Sequence, residues 1–162
     1  MLSTTSRKIS FVLVAALIAV LALASMGADS AAVLSTNCTG TYLVDLPTSQ
    51  GIWTLFKDGN FQGTDSAEDF WSFSHGQGSW KYSNGATKMS YLDYDVDGVE
   101  APTGMARFDA TLTFSNQCRD VSGVGTLYFF DTTSGGDPLN INTAFGTAPG
   151  INFTGRRLNV TP

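Results

Sequence analysis

Residues 107–114 alternate strictly. Phe108, Ala110, Leu112 and Phe114 are apolar, and Arg107, Asp109, Thr111 and Thr113 between them are polar. This period of two belongs to a strand with one buried face. Shorter runs of the same kind occur at residues 41–46, 52–57, 61–64, 70–74, 79–83, 87–94, 121–131 and 151–160. Between them stand Asp58-Gly59, Asn84-Gly85, Asp97-Gly98 and Gly135-Gly136, dipeptides that supply the positive φ of tight hairpins. Residues 132–138 and 142–150 read as loops from their Gly, Pro and Ser content. Beyond residue 36 no stretch keeps helical spacing for three turns, although residues 65–70 allow a single turn capped by Asp65 or Ser66. Eight or nine short strands in one flat sheet would leave two bare edges, and closure removes both. The expected fold is all-β: a single antiparallel up-and-down β-barrel of about eight strands, with a β-sandwich or jelly roll as the alternative.

The start of the chain has a different grammar. Arg7 and Lys8 precede an unbroken apolar run over residues 11–24, and small residues follow up to Ala32. That order reads as a secretory signal peptide, cleaved after Ser30 or Ala32. Fourteen to sixteen residues rising ~1.5 Å each fall short of a hydrocarbon core of about 30 Å, so no membrane span is expected. The expected organisation is a signal peptide over residues 1–32 and a secreted barrel domain over residues 33–162. The destination is extracellular, or periplasmic or cell-surface in a bacterium. In an oxidising compartment Cys38 and Cys118 form a disulfide by default. Asn37, Asn152 and Asn159 each open an Asn-x-Thr triplet, which matters only in a eukaryotic secretory pathway.

Charge narrows the function. The 162-residue chain has a net charge of −5. With Arg7, Lys8 and Asp29 set aside, residues 33–162 keep seven Lys and Arg against 13 Asp and Glu, a net of −6. So few cations argue against a nucleic-acid partner. The aromatic load is heavy, with 18 Phe, Trp and Tyr after Phe11. Some strands are apolar on both faces: Leu127 and Phe129 point one way, and Val124, Tyr128 and Phe130 the other. Two explanations compete: bulky core filling, and an aromatic-lined pocket for a small apolar molecule. The candidate ligand-lining residues are Tyr42, Phe56, Trp80, Phe108, Leu112 and Phe114, with Tyr42 and Trp80 also plugging the barrel beneath an arginine.

Motifs for chemistry are sparse. Asp93-Tyr94-Asp95-Val96-Asp97-Gly98 copies the opening of a calcium loop, but the twelfth position is Gly104 rather than Glu, and a solvated Asp-Gly hairpin explains the run better. His75, the sole histidine, reads as a loop residue beside a Gly-rich turn. Gly76-x-Gly78 and Gly123-x-Gly125 lack the strand-to-helix setting of a phosphate cradle and read as bulges or tight barrel corners. Glu68 and Asp69 are sequence neighbours and do not converge as a glycosidase pair would. No catalytic residue, metal ligand or cofactor is expected.

Gly40-Thr41-Tyr42 resembles the Gly-x-Trp opening of lipocalins and related calycin barrels, with Tyr in place of Trp. Arg156-Arg157 resembles the closing arginine that packs across that ring in the same family. The segments GTYLVDL, FKDGNFQGTDS, SHGQGSWK, LDYDVDG, GMARFDATLTF, VSGVGTLYFF, DPL and FTGRR are similar in order and spacing to a group of small secreted, lipocalin-like barrels. The resemblance implies a barrel and no particular reaction. Three functions follow from the whole reading. The first is a secreted non-enzymatic protein holding a small hydrophobic ligand. The second is a barrel-type cyclase or isomerase resembling allene oxide cyclase. The third is a cavity-free structural protein whose outward aromatics, among them Trp53, Trp71 and Phe130, join copies into a homo-oligomer.

Overall fold

The computed structural model describes residues 38–68, 73–94 and 104–159. Eight antiparallel strands follow one another around a closed barrel: β1 (Gly40–Asp45), β2 (Gln50–Leu55), β3 (Asn60–Asp65), β4 (Gly76–Ser83), β5 (Ala86–Tyr94), β6 (Gly104–Ser115), β7 (Asp120–Asp131) and β8 (Gly146–Arg157). Each strand pairs with its sequence neighbour, and β8 returns to β1 over a seam from Tyr42↔Arg157 to Asp45↔Thr154. The expected up-and-down barrel is therefore the fold, closed by the β1–β8 ladder.

The alternation in the sequence sets the faces. On β6, Ala106, Phe108, Ala110 and Leu112 are buried in the lumen, and Arg107 and Asp109 face outward, joined by an ion pair of 2.7 Å. Arg107 also donates to the Pro138 carbonyl at 3.1 Å, which ties the β7–β8 connection against the outside of the barrel. That connection carries two short 3-10 turns, Thr132–Ser134 and Ile141–Thr143. Asn84-Gly85 makes the β4–β5 hairpin with φ of 53° and 79°, as its dipeptide requires.

Three departures from the sequence reading have physical causes. Residues 146–150 belong to β8 rather than to a loop. Gly125↔Ile151 is followed by Leu127↔Ala148, so β8 carries one extra residue at Pro149-Gly150, where Gly150 has φ of 74°. Such a bulge resets which residues face inward, and it hides a strand behind turn-forming residues. Second, no strand covers residues 70–74 as a whole: Phe73 makes a single bridge, Ser74 lies outside any strand, and 69–72 fall outside the described residues. Third, the β6–β7 turn has no glycine. Asn116, Gln117 and Cys118 all sit at positive φ (49°, 56° and 63°), a left-handed run that costs roughly 1 kcal/mol or more per residue and must be held by its surroundings.

The holding is visible. Cys38 and Cys118 form a disulfide across 80 positions of sequence, joining the segment before β1 to that turn. Tyr42, fully buried, directs its hydroxyl at the carbonyls of both cysteines, 2.9 Å from Cys38 and 3.1 Å from Cys118. Burial pushes the Tyr42 phenol up to about 12, with the positive charge of Arg157 opposing, so the hydroxyl keeps its proton and remains a donor. Together with Leu55, Trp80, Leu112, Phe114 and Val121, this assembly fills one end of the barrel. The signal-peptide reading of residues 1–32 and the Asp97-Gly98 turn lie outside the described residues. Among the described residues no helix is long and apolar enough to cross a membrane.

Candidate functional site

The two ends of the barrel differ. At the end opposite Tyr42, where β1, β3, β5 and β7 finish and β2, β4, β6 and β8 begin, the lumen opens into a chamber of about 600 Å³. Its inner wall is aromatic. Trp53 stands at the centre, with ring centroids 4.9 Å from Phe153, 5.7 Å from Phe61, 6.2 Å from Phe108 and 6.3 Å from Tyr91. Phe61 stacks on Tyr91 at 5.1 Å. Edge-on and offset contacts at these spacings suit aromatic quadrupoles and give the wall a fixed shape.

Glycine makes the room. A Cβ on Gly125 would lie 2.2 Å from the Phe108 ring, and one on Gly76 would lie 2.7 Å from the Tyr91 ring. The rings thus pack against bare backbone on β7 and β4, in space that a side chain there would fill. Ala106, Leu127, Phe129 and Ile151 add to the apolar lining.

The rim is acidic. Asp65, Glu68 and Asp93 face the chamber, and no Lys or Arg among the described residues does. Asp65 ends β3 and caps the next turn: its Oδ1 accepts from the Ala67 N–H at 2.8 Å, and the Glu68 Oε1 reaches back to accept from the Asp65 N–H at 2.8 Å. This is the reciprocal capping arrangement expected of an Asp followed three residues later by Glu; of the single turn expected over residues 65–70, residues 69 and 70 lie outside the described residues. The Asp65 Oδ2 also accepts from Ser49 Oγ, and the Glu68 Oε2 meets His75 Nδ1 at 2.7 Å. His75 is an exposed loop residue, as read from the sequence.

Asp93 differs from both. It lies on β5 two residues beyond Tyr91, on the lumen face, and its Oδ1 is buried without a hydrogen-bond partner. Burial, then the charge of Glu68, push its carboxyl up to about 7, while the N–H groups of Asp93 and Ala106 pull the other way and the charge of Asp65 adds to the rise. The same carboxylates, added to its own burial, hold the Tyr91 phenol protonated far above its usual range. In the sequence, Asp93 reads as part of a strand end that feeds a solvated Asp-Gly hairpin. The strand carries it inside instead, because Met89, Tyr91 and Asp93 share one parity on β5.

Of the six candidate ligand-lining residues, Phe108 alone lines the chamber. Tyr42, Trp80, Leu112 and Phe114 pack in or against the core at the closed end. Phe56 sits in the β2–β3 turn, 43% exposed, where its carbonyl accepts from Trp80 Nε1 at 2.9 Å. Two aromatics read as outward-facing are buried: Trp53 at 2% exposure inside the lumen, and Phe130 at 0% on the outer side of β7. Trp71 lies outside the described residues. The residues that the sequence reading missed are Trp53, Tyr91, Asp93 and Phe129. Comparison with protein-family models, with curated proteins and with solved structures gives no match to this chain.

Proposed function

We propose that this protein is an exported, lipocalin-like container that holds a small, largely apolar molecule in the open half of its barrel. One observation carries the reading: a chamber of about 600 Å³, walled by Trp53, Tyr91, Phe108 and Phe129, opens at one end of a barrel whose other end is filled by side chains. That volume falls in the range of small-molecule sites, which are mostly apolar with a few placed polar groups. Binding draws on burial of ligand surface at about 25 cal/mol per Å². The Cys38–Cys118 disulfide supports an oxidising compartment and hence export.

Titration with the neutral fluorophore Nile red tests the reading. The expected result is a saturable, blue-shifted signal that is lost in Ala106→Phe, which drives a ring into the chamber from β6. A signal that neither saturates nor responds to a filled chamber overturns it.

A second reading, a cyclase or isomerase, draws on Asp93. A carboxyl pushed up to about 7 by burial beside an aromatic wall is suited to general-acid work. A surface-association role loses Trp53 and Phe130 as contact residues, and the exposed Leu139 and Phe145 of the β7–β8 connection would have to supply it.

A further inference from the structure

We infer that the chamber selects an amphipathic molecule carrying a protonated amine, its nitrogen set against the Asp93 carboxylate where that residue lines the chamber, and its apolar body lodged beside Trp53, Tyr91 and Phe108. This deepens the container reading and rests on it. The rim carboxylates differ in their partners. Asp65 is engaged by Ser49 Oγ and by the Ala67 N–H, and Glu68 by the Asp65 N–H and His75 Nδ1. Asp93 Oδ1 has no such partner, and it is the one such buried side-chain atom among the described residues. A buried, unpaired carboxylate oxygen is costly to maintain. In a chamber lined by Asp93, a positive charge on a guest beside the carboxylate offsets that cost.

The sign of the guest's charge follows from the surroundings. Three carboxylates face a half-enclosed apolar space with no lining cation among the described residues. Such a space focuses negative potential. A fatty carboxylate or a phosphate would meet three like charges, whereas an ammonium group pairs with Asp93 and relieves the repulsion between it and Glu68. The ring of Tyr91, two residues from Asp93 on the same face, offers the π surface that cations favour. A bare metal ion is a poorer complement, since no group of three His, Cys, Asp or Glu among the described residues is placed to hold one. The head group therefore sits at the rim, and the apolar tail runs inward to the wall around Trp53.

The test uses the full chain loaded with Nile red and challenged at about pH 8, above the value of about 7 to which the Asp93 carboxyl is raised, with octylamine, octanol and octanoate, three eight-carbon molecules with different head groups. Octylamine should displace the dye at roughly ten- to hundredfold lower concentration than octanol, the range of a charge-assisted hydrogen bond. Octanoate should be the weakest of the three. In Asp93→Asn the amine should fall to the level that octanol shows in the same variant, with retained dye binding reporting an intact chamber. If the amine is no better than the alcohol, or keeps its advantage in Asp93→Asn, the inference is overturned and the container reading stands. If the dye and all three competitors fail to bind the unaltered protein, the container reading falls and the inference with it.

Discussion

At the scale of single residues, Asp93 carries a cost that depends on pH. Its carboxyl is raised from the ordinary value of 3.8 to about 7 in the folded protein. The folded state therefore holds a proton that the unfolded state has released between those two values, and stability falls as pH rises through that window and levels off above it. Asp93→Asn removes the titration and keeps the shape. In urea unfolding the variant should be more stable than the parent at about pH 8, by roughly 1–3 kcal/mol, and the gap should close below about pH 4. A gap independent of pH would show that Asp93 is not the group responsible. Asp93 was legible in principle, since it shares parity with Met89 and Tyr91. The competing signal was the Asp-x-Asp-x-Asp-Gly run, whose solvated look drew the reading outward. Tyr42 shows the reverse. Its place at the start of the first strand was enough to mark it as a plug, yet nothing in the sequence shows that its hydroxyl reaches both cysteine carbonyls.

At the scale of elements, strand faces followed from alternation wherever one face is polar, as on β6. They were lost where a bulge shifts the phase, as at Pro149-Gly150 in β8, and where an aromatic faces inward from a strand that also bears an apolar residue outside. Ile52, at 52% exposure, stands beside the buried Trp53, so the sequence around Trp53 did not say which of the two faced the lumen. Spacing between a ring and a glycine on the next strand is a clearer signal after the fact. Phe108 lies over Gly125, and Phe153 over Gly123, where a Cβ would come within 2.4 Å of the ring. Gly125→Ala should force Phe108 out of its place, cost roughly 1–3 kcal/mol in thermal or urea unfolding, and weaken Nile red binding because the displaced ring enters the chamber. Unchanged binding together with unchanged stability would mean that the β7 backbone yields and that Phe108 does not depend on the glycine.

At the scale of the whole molecule, the barrel closes through a short β1–β8 seam, and the disulfide backs it from outside the ladder. The crosslink spans 80 positions and ties the segment before β1 to the β6–β7 turn, so it constrains most of the unfolded barrel. Loop-closure entropy assigns a crosslink of that span about 4–5 kcal/mol as an upper value. The double substitution Cys38→Ala, Cys118→Ala should therefore lower the urea midpoint markedly without changing the reading of the open end. A midpoint equal to that of the parent would show that Tyr42 and the strand ladder alone hold the turn. The count of strands, their order and the closure were all legible from hairpin dipeptides and alternation. Which end would be filled and which left hollow was not, because it depends on how side chains from eight strands meet across the lumen.

The filled floor beneath Trp53 has a kinetic meaning. A pipe lets cargo pass through, but a cup makes arrival and departure share one doorway. Residence time in this protein should then be governed by the rim around Asp65, Glu68 and His75, and a molecule longer than the cup is deep must leave part of itself standing in water.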